Sequence, residues 1–246
     1  MPDYLDTTAG RRIAYHRTEG QGPGVVFLGG FKSDMEGTKA IHLEAWAKAQ
    51  GRAFLRFDYS GHGQSSGEFT DGSIGDWADD AQAAIEALTD GPQLLVGSSM
   101  GGWISLLLTQ RIAPRIGGLV TIAAAPDFTE DSMWAGFTDA QKAELQGGQV
   151  ALPSDYGEPY IITKRLIEEG RNNLVLRAPL PLPFPVRFLQ GTADADVDMS
   201  VALRLLDHAE GPDMRLTLLK GADHRFSDAA ALELIETAIR DVLERI

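Results

Sequence analysis

The chain has 246 residues, is 43% hydrophobic and contains no cysteine, so it is long enough for one substantial core and excludes disulfides, cysteine-ligated zinc and a thiol nucleophile. Acidic residues outnumber basic ones by 35 to 22, and the formal charge of -13 disfavours nucleic acid or an anionic membrane surface as a partner. We therefore expect a single domain over residues 1–246 that accommodates neutral or cationic ligands most easily.

The beginning of the chain carries no recognisable targeting signal. Residues 1–6 lack a basic stretch followed by an apolar core, and there is no Arg-rich, Ser-rich transit segment. No stretch approaches the roughly 20 apolar residues needed to span a bilayer. The expected location is cytoplasmic.

Short apolar runs alternate along the chain with helical patterns. Because the runs are almost continuously apolar, they predict parallel strands buried on both faces, and hence an α/β fold. The runs are residues 25–28, 53–57, 94–96, 119–122, 186–189 and 214–219.

Two helices are predicted from their periodicity. Residues 74–88 follow helical spacing, with Ser73 as N-cap and Gly91-Pro92 as the stop signal. A last helix is predicted from Ser227 onward, because its apolar residues form one stripe that would pack on a sheet. That stripe contains Leu232, Ile235, Ile239, Val242 and Ile246.

An insertion at about residues 126–185 breaks the alternation. Its pattern predicts helices around residues 139–145 and 160–169, and it ends in a proline-rich stretch at residues 178–185. Long insertions in compact domains usually carry function, which favours a lid over an excursion without function.

A G-x-S-x-G pattern, with Ser99 at its centre, lies between an apolar strand and a helix. At such an elbow a sharp turn lifts the serine Oγ clear of the sheet. Glycine at positions 97 and 101 removes side chains that would collide where strand and helix approach. The pattern predicts a nucleophilic serine, and the alternative is a loop of small residues at a strand end.

A serine hydroxyl needs a general base at neutral pH, and imidazole has a suitable pKa. Three of the five histidines, His16, His42 and His208, fall in predicted strands or helices and are interpreted as structural or solvated. Of the remaining two, His62 and His224, the latter follows the last predicted strand, where the carboxyl ends of a parallel sheet form ligand sites. His224 is the predicted base.

An orienting acid is expected at the end of the preceding strand. Asp194 lies there, three residues after Gly191, and its carboxylate would hold the imidazole tautomer and stabilise the imidazolium without taking the proton. Asp196 and Asp198 are close enough to remain alternatives, since three acids in one loop are commonly a solvated turn.

The oxyanion formed by an attacking serine also needs hydrogen-bond donors. The backbone N–H of Met100, the residue after the nucleophile, is one predicted donor, and the loop at residues 28–34 should supply the other. We predict Phe31 as this second donor, with Gly30 and Lys32 as alternatives.

In these residues the chain resembles the α/β-hydrolase superfamily. Ser99, Asp194 and His224 occur in that superfamily's order, and residues 58–65 match its D-x-x-G-x-G-x-S turn. The resemblance implies a mostly parallel central sheet flanked by helices with a helical lid insertion, and it maps Ser99 to the nucleophile, Asp194 to the acid and His224 to the base. The middle histidine of the matching turn often has no catalytic duty, so His62 is expected to be structural.

Further segments are similar to a branch of that superfamily that hydrolyses palmitoyl-protein thioesters and acyl glucuronides. They are residues 35–40, 56–61, 90–99 and 223–225, and the similarity includes the insertion at residues 152–154. The resemblance implies a serine hydrolase, without metal or cofactor, that cleaves a small-molecule ester or thioester or an acylated protein through an acyl-enzyme on Ser99.

The insertion supplies apolar side chains that could wall a pocket for an acyl or aryl group. They are Phe128, Met133, Trp134, Phe137, Tyr156 and Tyr160. The alternatives are a small-ester carboxylesterase or peptidase of the same fold and, from another class, a catalytically silent binding protein on a hydrolase scaffold.

Overall fold

An eight-stranded sheet forms the centre of the computed structural model, which describes residues 1–153 and 159–246. The strands of the described part are β1 (Asp3–Asp6), β2 (Arg12–Thr18), β3 (Gln21–Leu28), β4 (Arg52–Phe57), β5 (Gln93–Ser98), β6 (Ile116–Ile122), β7 (Gln149–Leu152), β8 (Tyr160–Thr163), β9 (Leu180–Pro181), β10 (Val186–Gly191), β11 (Ala209–Glu210) and β12 (Met214–Leu219). Its α-helices are α1 (Thr38–Ala49), α2 (Ile74–Leu88), α3 (Met100–Arg111), α4 (Asp139–Gln146), α5 (Lys164–Gly170), α6 (Met199–His208) and α7 (Ala229–Leu243).

The strand order in the large sheet is β1-β2-β4-β3-β5-β6-β10-β12. All pairs from β4 to β12 in this order are parallel, and only β1 and β2 add antiparallel pairs at one edge. Each apolar run predicted as a strand is part of this parallel region, so the predicted α/β architecture is confirmed. Every residue of β5, the strand that leads to Ser99, is buried.

Helices cover both faces of the sheet. The core on one face includes Trp77 from α2 and Trp103 from α3, both fully buried. The core on the other face includes Leu43 from α1 and Ile239 from α7. This two-sided burial explains the continuously apolar strands in the middle of the sheet, where both faces are covered. The prediction of two buried faces is wrong for the edge strand β12, in which Arg215, Thr217 and Leu218 are exposed.

The two helices predicted from periodicity are present. Helix α2 begins after Ser73, whose hydroxyl accepts a hydrogen bond from the Asp76 N–H. Helix α7 begins two residues later than predicted, because Asp228 is its N-cap and accepts from the Ala231 N–H. The predicted stripe on α7 is too long, since Ile246 follows the helix end and is 38% exposed.

The segment between β6 and β10 contains a π-helix (Thr129–Trp134), helices α4 and α5, and the antiparallel pair β7–β8. The predicted helix at residues 139–145 is confirmed by α4. The predicted helix at residues 160–169 is wrong over its first four residues, which form β8. The β-branched run in β8 pairs with β7, and this pairing overrides the local helical spacing. Positions 154 and 156, singled out from the sequence, lie outside the described residues.

Within residues 1–153 and 159–246, every helix is too short or too polar to cross a lipid bilayer.

Candidate active site

Ser99 lies on a sharp turn between β5 and α3. Its backbone angles, φ 54° and ψ -116°, are unfavourable for a residue with a side chain, and its N–H donates to the Ile122 carbonyl at 2.9 Å. A Cβ at Gly97 would lie 2.4 Å from the Gly101 oxygen, and a Cβ at Gly101 would lie 2.1 Å from the Leu28 oxygen. The prediction that glycine at 97 and 101 permits the close approach of strand and helix is confirmed.

The Ser99 hydroxyl lies beside the imidazole of His224. The Oγ to Nε2 distance is 3.1 Å, although the two residues are 125 positions apart in sequence. His224 follows β12 in a tight loop, in which Phe226 has φ 48° and its N–H donates to Asp223. The fold thus brings the predicted nucleophile and base within hydrogen-bond distance.

Asp194 contacts the other nitrogen of the same ring. Its Oδ2 and Oδ1 lie 2.9 Å and 3.1 Å from His224 Nδ1. The carboxylate is buried and also accepts hydrogen bonds from the N–H groups of Asp196 and Val197 and from the Gln190 side chain. Burial acts to raise the pKa of Asp194, but the hydrogen bonds from His224 and these amides outweigh it and lower the pKa.

The two alternative acids have other positions. Asp198 caps α6 by accepting from the Ser200 N–H at 2.8 Å, and Asp196 is exposed. Sequence reasoning missed Gln190, which is fully buried and donates to Asp194 Oδ2 at 3.0 Å. Its position near the end of a buried strand, four residues before the acid, was the available signal.

The loop that follows β3 lies directly against the elbow. A Cβ added to Gly30 would lie 3.4 Å from the Ser99 Cβ. The Lys32 N–H is taken by His62 Nε2 at 3.3 Å, which removes Lys32 from the candidate oxyanion donors. Within the described residues, the N–H groups of Phe31 and Met100 have no hydrogen-bond acceptor, and Gly30 stays an alternative.

The other four histidines interact away from Ser99. His62 is buried, and burial is the main cause that lowers its pKa to about 4. The other three have polar partners: His16 lies 3.4 Å from Glu36, His42 lies 2.7 Å from Glu236, and His208 lies 2.8 Å from the Ala178 carbonyl. Their interpretation as structural or solvated fits these contacts.

A cavity of about 500 Å³ opens over Ser99 and His224. Three of the predicted wall residues, Phe128, Met133 and Tyr160, line it. Trp134 and Phe137 were predicted wrongly, because they pack against each other at 6.3 Å and Trp134 is covered by basic side chains from Lys142 and Arg171. Tyr156 lies outside the described residues.

Three basic side chains line the cavity although the chain is acidic overall. They are Lys32, Lys39 and Arg225, and Asp196 is an acidic residue that also lines the cavity. Burial lowers the pKa of Lys39 to about 8, and its ammonium group donates to the Arg225 carbonyl next to His224. The net charge predicted a preference for neutral or cationic ligands, and the basic side chains of this cavity do not fit that prediction.

Asp194 and His224 also belong to a set of side chains that are close enough together to ligate a cation. Potential ligand atoms of Asp194, Asp196 and His224 lie within 4.8 Å of one another. Both Asp194 oxygens already accept hydrogen bonds from His224 Nδ1, and Oδ1 also accepts two from backbone amides. The His224–Asp194 hydrogen bonds account for this arrangement without a metal.

Comparison with known proteins places this geometry in a family. A model of the Hydrolase_4 family, described as serine aminopeptidase, S33, matches residues 24–168. The rat (Rattus norvegicus) palmitoyl-protein thioesterase ABHD10, named as mitochondrial, is 35% identical over 236 residues, which cover 95% of this chain and 80% of the relative. Its human counterpart is 33% identical over 95% of this chain and 77% of its own length.

Solved structures are similar along almost the entire chain. A putative hydrolase from Agrobacterium vitis S4 has a TM-score of 0.94 at 38% identity, covering 99% of this chain and 98% of the other. Mouse α/β-hydrolase domain-containing protein 10 has a TM-score of 0.92 at 32% identity, with the same coverage of 99% and 98%. The resemblances inferred from the sequence motifs are confirmed: the chain belongs to the Hydrolase_4 family of the α/β-hydrolase superfamily, with ABHD10 among its relatives.

Proposed function

We propose that this hydrolase cleaves carboxylic ester or thioester bonds through an acyl-enzyme on Ser99. The observation that carries the proposal is the unbroken hydrogen-bonded chain from Ser99 Oγ through His224 to the buried Asp194, with steps of 3.1 Å and 2.9 Å. Nucleophile, base and orienting acid in this relation are the geometry that acyl transfer by serine requires. The names of the relatives support a hydrolase and favour a thioester as one substrate.

In the first half-reaction Ser99 Oγ attacks the acyl carbonyl carbon while His224 Nε2 removes the hydroxyl proton. Asp194 accepts from Nδ1, keeps that proton on Nδ1 and stabilises the imidazolium that forms. The oxyanion accepts hydrogen bonds from the N–H groups of Met100 and Phe31, a type of donor worth roughly 3 kcal/mol of barrier each. When the intermediate collapses, the bond to the alcohol or thiol breaks, and His224 gives its proton to that leaving group.

In the second half-reaction a water molecule replaces the leaving group. His224 Nε2 takes a proton from the water as its oxygen attacks the acyl carbonyl, and the same N–H groups stabilise the second oxyanion. Collapse releases the carboxylic acid and returns the proton to Ser99. In each half-reaction His224 therefore first accepts a proton as the base and then donates it as the acid.

The proposed acyl group is apolar. Phe128, Met133 and Tyr160 line the cavity above Ser99, and its volume of about 500 Å³ is within the range usual for small-molecule sites. Phe128, Met133 and Tyr160 belong to the insertion at residues 126–185, which we propose as the lid over the acyl site.

The test is a hydrolysis series in which one acyl chain is attached to thioester, ester and amide leaving groups. Ser99→Ala is expected to lower kcat by at least about 10⁴-fold on every substrate that the wild-type chain cleaves. Ser98→Ala is the matched control, since Ser98 is also buried beside the cavity but makes no hydrogen bond to His224 among the described residues. It should keep most of the activity.

Other outcomes distinguish the alternative functions. Hydrolysis of amides faster than esters would favour the peptidase named in the family description. A sharp preference for acetyl esters would favour a small-ester carboxylesterase. Turnover that survives Ser99→Ala would contradict the acyl-enzyme, and no turnover by folded wild-type protein would favour a binding protein.

A further inference from the structure

The loop after β3 (residues 29–35), which we call the oxyanion loop, is held by the turn at residues 58–65. The Met35 N–H donates to Asp58 Oδ1 at 2.6 Å, and the Tyr59 hydroxyl donates to the Gly29 carbonyl at 3.3 Å. Between these two ends, the Lys32 N–H donates to His62 Nε2 at 3.3 Å. The turn therefore contacts the oxyanion loop at its start, its middle and its end.

The protonation of His62 is fixed by its surroundings. His62 Nδ1 lies 3.1 Å from the Ser60 carbonyl, and because a carbonyl only accepts, Nδ1 carries the ring proton. Nε2 is then an acceptor, as the Lys32 N–H requires. Burial, opposed by the Ser60 hydrogen bond and assisted by the Lys32 ammonium, lowers the pKa of His62 to about 4 and keeps the ring neutral.

The backbone at Lys32 needs such a partner. Its φ of 54° lies in the left-handed region, which is unfavourable for a residue with a side chain. Loss of the acceptor would leave both an unpaired amide and an unfavourable turn, and the chain could relax to a different φ. A change in φ at Lys32 would rotate the peptide group between Phe31 and Lys32. The next peptide group toward the N-terminus, between Gly30 and Phe31, carries the Phe31 N–H.

Aromatic packing couples the His62 ring to Phe31. The ring meets Trp77 at 5.0 Å and Phe69 at 5.2 Å, both edge to face. Phe31 packs against the same two side chains, at 6.1 Å and 4.9 Å between ring centroids. Phe69 and Trp77 thus hold both the His62 ring, which supplies the acceptor for the Lys32 amide, and the side chain of Phe31, the residue before Lys32.

We propose that His62 is a positioning residue for the oxyanion hole: its Nε2 holds the Lys32 amide and thereby keeps the Phe31 N–H directed at the oxyanion formed on Ser99. His62 does not touch the reacting atoms and takes no proton in the reaction. The inference rests on the proposed function, because it gives the loop a donor role only if Ser99 forms a tetrahedral intermediate.

The test compares three substitutions at this position. His62→Phe keeps an aromatic ring in the cluster but removes the acceptor, and His62→Asn is too short to place an acceptor where Nε2 lies. His62→Gln reaches that point with its amide oxygen. We expect kcat/KM to fall at least about tenfold in His62→Phe and His62→Asn, a fraction of the 10²–10³-fold typical for a lost oxyanion donor, and to recover most of the loss in His62→Gln.

A second measurement separates positioning from general loosening. A trifluoromethyl ketone, which adds to an active serine to form a tetrahedral oxyanion, should lose affinity in parallel with kcat/KM across the variants. The affinity for the matching ether, in which a CH₂ group replaces the carbonyl and places no oxygen in the oxyanion hole, should change by less than about threefold, since it makes no contact specific to the transition state.

The outcomes decide between the proposals. Equal activity and inhibitor affinity in His62→Asn and His62→Gln would overturn the role of the acceptor, even if His62→Phe fails to fold. Equal losses of ether and inhibitor affinity would also overturn it. The proposed function fails by a different result, namely turnover that survives Ser99→Ala, so the two failures are distinguishable.

Discussion

The two edges of the parallel sheet carry cavities of different character. At the carboxyl edge lies the cavity of about 500 Å³ over Ser99. At the amino edge, where β6 and β10 begin, lies a larger space of about 800 Å³, lined by the proline-rich stretch and by Arg245, whose guanidinium is paired with Asp213 and Asp241. The larger space lacks a nucleophile paired with a base among its lining residues.

Within residues 1–153 and 159–246, unfavourable backbone at residues with a side chain is found at only one of these edges. The non-glycine residues with left-handed φ in the described part all follow the carboxyl ends of strands. They are Lys32, Ser99, Ala123, Asp127 and Phe226. A half-buried lysine, Lys39, with a lowered pKa lies at the same edge. The volume of a cavity therefore does not identify the candidate active site, whereas strained backbone angles and a desolvated charge at its edge do.

After loss of the nucleophile itself, the largest effect is expected from Asp194→Asn. An amide cannot keep the proton on His224 Nδ1 as the carboxylate does, and it would place an NH₂ group toward donors that now contact Asp194. We expect kcat to fall about 10⁴-fold, as in other enzymes that lose the orienting carboxylate. Steady-state kinetics measure this effect, and Asp198→Asn is the control at the helix cap, where kcat should be unchanged.

A second prediction concerns the close approach at the elbow. In Gly101→Ala the new Cβ would lie 2.1 Å from the Leu28 oxygen and 2.6 Å from the Gly29 oxygen, both backbone atoms. We expect a loss of about 3 kcal/mol in the free energy of unfolding, measured by urea denaturation, because α3 must move away from the oxyanion loop. Gly136→Ala, where a Cβ meets nothing within 4 Å, should change it by less than about 0.5 kcal/mol.

The free energy of unfolding should also depend on the protonation of Lys39. Its pKa is lowered from 10.5 to about 8 in the folded chain, so between these values the unfolded state binds more protons and stability rises with pH. Lys39→Met should lack that rise and should be more stable at pH 7, by at most about 3 kcal/mol. Equal pH dependence of the two proteins in urea titrations would refute the assignment to Lys39.

The smallest effect is expected at the amino edge. Gln110 is exposed and lines the larger cavity, and Gln110→Trp would partly fill it. We expect kcat/KM to stay within about twofold of wild type and the free energy of unfolding within about 0.5 kcal/mol, since no buried contact is broken. A large loss of turnover would show that the amino-edge cavity takes part in the function.

Much of the fold follows from local patterns. The apolar runs correctly predicted the parallel strands, and Ser73 correctly predicted the start of α2, because burial and capping depend on nearby residues. The β7–β8 pair was missed, since strand pairing across an insertion depends on a partner that periodicity cannot identify. The π-helix at Thr129–Trp134 likewise has no simple period.

The candidate site, like the fold, was predicted in part from the sequence. Ser99, Asp194 and His224 were recognisable from motif, order and strand ends, and the structure brings them together. Phe31 was predicted as the second oxyanion donor, but the sequence could not exclude Lys32, because that exclusion depends on the distant His62, which accepts from the Lys32 amide. The basic side chains that line the cavity, Lys39 among them, were missed, since the net charge does not show where individual charges lie.

Labelling with a fluorophosphonate, followed by peptide mapping by mass spectrometry, tests the central claim most directly. Such a probe reacts with a serine only where a neighbouring base activates it. The account predicts one adduct per chain, on the peptide that contains Ser99, and strongly slowed labelling in His224→Gln. An adduct on another residue, or none on folded protein, would contradict it.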